Sequence, residues 1–77
     1  LRSAAPGGPR RGLTGPAARG DSGTIALHLE ALASEPRASR ELYRALACRM
    51  VAMAEAQRRL PPQRARRLRR QLGCPRD

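Results

Sequence analysis

Apolar residues recur with the spacing of an α-helix in three segments of the chain. The first segment predicts a helix over about 23–34, in which Ile25, Leu29 and Leu32 follow the i, i+4, i+7 rule and form one stripe. Leu27 falls on the opposite face. The helix start is left open between three residues whose side chains can cap exposed backbone N–H groups, namely Asp21, Ser22 and Thr24.

The second segment predicts the longest helix, from about 37 to 59. Its large apolar side chains lie within one broad arc of the helix circumference, and the charged side chains fall outside it. The arc consists of Leu42, Leu46, Met50 and Met53, extended by Tyr43, Ala47 and Ala54. Pro61 and Pro62 follow, and a helix ends before such a pair because the residue preceding proline is pushed out of helical geometry.

The third segment predicts a short helix over about 62–72 with a narrow apolar strip made by Ala65, Leu68 and Leu72. Gly73 is suited to stop it, since glycine adopts the left-handed conformation of a helix end. Arginine occupies most of the remaining circumference, at Arg64, Arg66, Arg67, Arg69 and Arg70.

Residues 1–20 show no apolar period and contain five glycines and three prolines, which break both helix and strand. We therefore expect a disordered arm over 1–20 and a helical module over 21–77. No segment shows the alternation of a strand. The fold class predicted from the pattern is all-α, either a small helical hairpin or a three-helix arrangement with a disordered N-terminal arm.

Charge is distributed unevenly along these 77 residues, which carry sixteen arginines, no lysine and a net charge of +10. Residues 1–20 contribute +4, residues 21–57 contribute −1 and residues 58–77 contribute +7. A near-neutral amphipathic middle between two basic ends favours a binding protein over a catalyst. The basic stretches are also explained by a solvated surface in an arginine-biased sequence.

The apolar side chains of the helical module are few, and the chain has neither Phe nor Trp. A core of this size supplies roughly 3–5 kcal/mol at most. We therefore expect the arc of Leu42, Tyr43, Leu46, Met50 and Met53 to dock on a protein partner or on a second copy of the chain, with the methionines adapting to the contact. The alternative is an intramolecular core against the first helix.

Nucleic acid is the alternative partner. The five arginines from Arg64 to Arg70 would present guanidinium groups along a phosphate backbone, which they bind in a bidentate manner. Single strands are less favoured, because Tyr43 is the one aromatic side chain available for base stacking. No run of about 18 apolar residues is present, so a membrane-spanning helix is not expected.

Two cysteines, Cys48 and Cys74, leave two interpretations open: independent thiols, or one disulfide in an oxidising compartment. Arg19-Gly20-Asp21-Ser22 resembles the integrin-recognition motif of extracellular matrix proteins, although Asp21 is also a candidate helix cap.

Leu42-Tyr43-Arg44, with Leu46 and Arg49, resembles the L-Y-R-x-L-x-x-R motif of the LYR family of small basic mitochondrial assembly factors. That resemblance implies a three-helix fold and association with iron–sulfur delivery or acyl carrier protein.

An enzymatic function has little support in the sequence. His28 is the single histidine, and the acids Glu30, Glu35, Glu41 and Glu55 stand singly without a close pair for acid–base catalysis. No Cys or His cluster has the spacing of metal ligands. We expect no catalytic residues, cofactor or metal.

Overall fold

The computed structural model describes residues 15–75, and all regular structure in that range is helical. The four helices are α1 (Pro16–Arg19), α2 (Ser22–Leu32), α3 (Arg37–Ala56) and α4 (Pro62–Leu72). The prediction of an all-α fold is thus confirmed. Helix α3 is the spine, because α1, α2 and α4 all pack against it.

Helix α1 lies within the segment for which a disordered arm was predicted, so that prediction is wrong for residues 15–20. Pro16 occupies the first helical turn, where its missing N–H is not needed. Gly20 ends the helix in the left-handed conformation at φ 74°, and the N–H of Asp21 donates to the Pro16 carbonyl at 2.8 Å. The rest of the predicted arm, residues 1–14, lies outside the described residues.

Helix α2 begins after Asp21, which settles the choice between three candidate caps. One carboxylate oxygen of Asp21 accepts the backbone N–H of Thr24 at 3.0 Å, and the other accepts the Thr24 hydroxyl at 2.7 Å. Ile25 is fully buried, Leu29 is half-buried and Leu27 is exposed, as the stripe predicted.

Helix α3 ends at Ala56, three residues before the predicted boundary. The turn that follows places Arg58 in the left-handed region at φ 60°, and the N–H of Arg59 donates to the Ala54 carbonyl at 2.9 Å. This turn directs Leu60 into the core, where it is almost completely buried. The burial of one leucine between the helices thus accompanies the early end of α3.

Helix α4 has the predicted bounds and the predicted buried strip of Ala65, Leu68 and Leu72. Gly73 ends it in the left-handed conformation at φ 71°. The N–H of Cys74 donates to the Arg69 carbonyl at 2.9 Å, which completes a Schellman end.

The core uses only one edge of the arc that the sequence suggested, the edge with Ala47 and Ala54, together with Val51 beyond it. The fully buried residues of α3 are Ala47, Val51 and Ala54. The interpretation of the arc as internal core holds in part, since Tyr43, Met50 and Met53 pack half-buried against the core, whereas Leu42 and Leu46 are exposed. Small alanines let α1, which contributes Ala17 and Ala18, approach α3 closely.

A disulfide joins Cys48 of α3 to Cys74 just after α4, with 5.8 Å between their α carbons. Of the two interpretations that the sequence left open, independent thiols or one disulfide, the structure has the disulfide. The bridge ties the end of α4 to the middle of α3 across 26 residues of chain.

Candidate interaction surfaces

A mainly apolar surface runs along the outer side of α3. We call it the outer stripe. Six of its positions, from Ala38 to Ala56, recur in steps of four and three, the spacing at which side chains line one side of a helix, and Leu46 and Met53 lie beside them. The residues of the outer stripe are Ala38, Leu42, Ala45, Leu46, Arg49, Ala52, Met53 and Ala56.

Leu42 and Leu46 are the large exposed side chains of this stripe, with 62% and 59% of their surfaces accessible. At 3.6 residues per turn they lie about 110–150° around the α3 axis from the buried residues. The third exposed leucine, Leu27 at 65%, belongs to α2 and is not part of the outer stripe. Two leucines one turn apart, beside exposed alanines, thus form a packing face that nothing in residues 15–75 covers.

Tyr43 is separated from its predicted companions because it faces α2. Its hydroxyl is 3.0 Å from Nδ1 of His28, and the two rings meet edge to face with centroids 5.6 Å apart. Partial burial raises the pKa of the Tyr43 phenol above its ordinary value. Tyr43 and His28 thus form a polar contact between α2 and α3 rather than part of an exposed apolar patch.

A groove of about 490 Å³ lies between α3 and the segment that follows α4. Its floor and walls include the disulfide, Pro75 and two alanines of the outer stripe, Ala45 and Ala52. Arg44, Arg49 and Arg69 border it together with Glu41, which is ion-paired to Arg37 at 3.7 Å. The groove therefore continues the outer stripe sideways and gives it a basic margin.

Arginines dominate the solvent side of α4. We call the exposed set the basic face: Arg64, Arg66, Arg67 and Arg70. Arg69, the fifth predicted anion-binding residue, is set apart, because its guanidinium donates to Glu55 of α3 at 2.5 Å and its side chain is partly buried. The structure thus leaves four of the five arginines exposed around the solvent side of α4 and uses the fifth to hold α4 on α3.

The start of α4 is fixed against the end of α1. A β-carbon added at Gly20 would lie 2.5 Å from Cδ of Arg64 and 2.9 Å from Cδ1 of Leu60, so the aliphatic stem of Arg64 rests on the glycine. At the other end of α4, Gln71 Nε2 donates to the carbonyl of Ser22 at 2.9 Å. These contacts orient α4 with its arginines outward.

Asp21, the acidic residue of the integrin-like motif, is engaged within the fold. The hydrogen bonds from the Thr24 hydroxyl and backbone N–H, assisted by Arg19 at 3.5 Å, hold the pKa of its carboxyl below the ordinary value. The carboxylate therefore acts as the cap of α2.

Within residues 15–75, no group of three or more His, Cys, Asp or Glu side chains is arranged to hold a metal ion. No helix in the described part of the chain combines the length and the apolar character needed to cross a bilayer.

Residues 1–50, more than half of the chain, match a family described as a domain of unknown function, DUF2520. The chain belongs to this family. The matched DUF2520 region includes Leu42 and Leu46 and ends at Met50, before the basic face begins. No curated protein and no solved structure matches the chain.

Proposed function

We propose that this chain is a non-catalytic interaction module that docks on a helix of a protein partner through the outer stripe. The observation that carries the proposal is the exposure of Leu42 and Leu46 beside four exposed alanines on one side of α3. Monomeric proteins rarely leave a contiguous apolar surface of this kind without an interaction to make.

The spacing of the outer stripe favours a helix as the docking element. Six of its positions alternate in steps of four and three from Ala38 to Ala56, as in the seam of two packed helices, and Leu46 lies beside this seam. The stripe is about 27 Å long at 1.5 Å per residue. Alanines at the seam allow a second helix to come close, while Leu42 and Leu46 fill its grooves.

Charge indicates what the partner helix carries. Arg49 lies within the outer stripe and Arg44 borders the adjoining groove, and neither has an ion-pair partner among the described residues. A partner helix with carboxylates beside its apolar seam would satisfy both guanidinium groups. A second copy is less favourable, since each chain brings a net charge of +10 to the contact.

The strength of the contact follows from the exposed leucine surface. Full burial of one leucine contributes roughly 1.5–3 kcal/mol. Covering the 62% and 59% now accessible on Leu42 and Leu46 is then worth about 2–3.5 kcal/mol. Loss of both side chains should weaken binding about 30- to 400-fold.

The proposal is tested with two synthetic helical peptides that share one Leu/Ala seam and differ only at the flanking positions, Glu in one and Lys in the other. Fluorescence anisotropy should show binding of the Glu peptide and little binding of the Lys peptide. The double variant Leu42→Gln/Leu46→Gln should bind the Glu peptide about 30- to 400-fold more weakly than the wild-type chain. Arg49→Glu should reverse the preference between the two peptides.

Leu27→Gln is the matched control, because it removes an equally exposed leucine from a different helix. It should change affinity by less than about twofold. Equal binding of the wild-type chain and the double variant would contradict the proposal, as would equal binding of both peptides. Sedimentation that shows a dimer abolished by the double variant would instead identify a second copy as the occupant.

A further inference from the structure

The basic face of α4 carries more like charge than the fold itself uses. Arg66 and Arg70 are four residues apart, and Arg64, Arg67 and Arg70 follow one another at steps of three. Side chains at these spacings are neighbours on a helix, and like charges there destabilise it. A helix that keeps four such neighbours is stabilised once anions lie among them.

No carboxylate from the packed elements neutralises this surface within residues 15–75. Glu55 is the acid nearest to α4 by contact, and it pairs with Arg69. Asp21, near the start of α4, is engaged by Thr24 and Arg19. The arginines of the basic face have no ion-pair partner in the described chain, so their charge is available to a ligand.

The composition of the basic face distinguishes between kinds of anionic ligand. Beside its four arginines, the exposed side chains of this helix and its start are Gln63, Pro61 and Pro62, with no large apolar residue that could insert into a lipid bilayer. Protein interfaces have apolar centres depleted of charge, whereas protein–nucleic acid interfaces are polar and strongly positive. No aromatic side chain is present on this face to stack single-stranded bases.

We propose that the basic face is a second binding surface, which takes the phosphodiester backbone of duplex nucleic acid without reading its sequence. From Arg64 to Arg70 the guanidinium groups are distributed over about 9 Å of helix rise. The stem of Arg64 is held against Gly20, which fixes one end of the array. Each guanidinium fork suits a phosphate, and this surface uses no residue of the outer stripe.

The number of arginines sets the salt dependence. Four phosphate contacts predict a slope of log K against log salt of about −3.6 for duplex DNA. Between 50 and 200 mM salt, the affinity should therefore fall about 150-fold. With two arginines removed, the expected slope is about −1.8, and the fall over the same range is about 12-fold.

The experiment measures binding of the full chain to a fluorescent 20-base-pair DNA duplex of arbitrary sequence across this salt range. The test variant is Arg64→Gln/Arg67→Gln, since glutamine is a good helix former and both sites are exposed. The control variant Arg37→Gln/Arg44→Gln removes the same charge from α3 and should keep the full slope. A second, unrelated duplex should bind with the same affinity as the first.

Three results would overturn the proposal. They are a slope that changes equally in the test and control variants, a duplex affinity that does not depend on salt, and binding of polyglutamate or of phosphatidylserine vesicles as tight as that of the duplex at equal salt. Circular dichroism of each variant should show unchanged helicity. A smaller slope of log K against log salt then results from lost phosphate contacts and not from unfolding.

Discussion

Reduction of the Cys48–Cys74 disulfide should remove much of the stability of the fold. The bridge closes a loop of 26 residues, and the chain-entropy relation gives about 3.5 kcal/mol for a loop of this length. The core alone supplies roughly 3–5 kcal/mol at this size. The alanine-rich set of buried residues agrees with a small core, since half of the ten buried side chains are alanine. The reduced chain keeps only this core contribution, so its free energy of unfolding should fall to roughly half that of the oxidised chain.

The assay is urea unfolding followed by circular dichroism, with and without a phosphine reductant. For a denaturant slope of about 1 kcal/mol per molar, the midpoint should fall by about 3.5 M on reduction. The variant Cys48→Ser/Cys74→Ser should match the reduced chain and should not respond to reductant. A midpoint that moves by less than about 1 M, or two free thiols in the untreated protein, would refute the reasoning.

Two further predictions concern the junction of α1 and α2. Gly20→Ala should lower the free energy of unfolding by more than about 1 kcal/mol, because Gly20 has a positive φ and the new methyl group would collide with Arg64 and Leu60. Gly23→Ala within α2 should raise it, and thermal unfolding compares the two variants. The lowered pKa of Asp21 means that the unfolded chain binds a proton more readily there. The ionised Asp21 carboxylate should therefore stabilise the fold above about pH 4, and this stabilisation should be lost as the pH falls through the lowered pKa. Asp21→Asn should remove this part of the pH dependence of unfolding.

The sequence predicts the parts of this fold that local chemistry decides. The buried strip of α4 was predicted at the residues where it is observed, because Ala65, Leu68 and Leu72 are the apolar residues among its arginines. Gly73 marked the end of α4, since few other residues adopt its backbone conformation without strain.

The parts that depend on packing were not predictable in the same way. Helix α1 is one turn long and has no apolar period, and its signal is the pairing of Pro16 with Gly20 across four residues. The arc on α3 was centred on its large side chains, whereas the buried face is centred on Val51 with Ala47 and Ala54, because small side chains admit close helix packing. The pattern located the leucines of the outer stripe without showing that they lie outside the core.

The disulfide could not be derived from spacing, since a separation of 26 residues is compatible with many geometries. That Arg69 pairs with Glu55 and does not join the basic face also depends on the position of Glu55 on another helix. Both depend on the angle at which α4 crosses α3, which the sequence of either helix alone does not specify.

The most direct test of the outer stripe as a docking surface is methyl NMR of the oxidised chain during titration with the Glu-flanked peptide. Among the Leu and Met methyl signals, shifts should be confined to Leu42, Leu46 and Met53, with Leu27 and Leu68 unchanged. Shifts centred on Leu27, or shifts spread evenly over all methyl groups, would contradict the account.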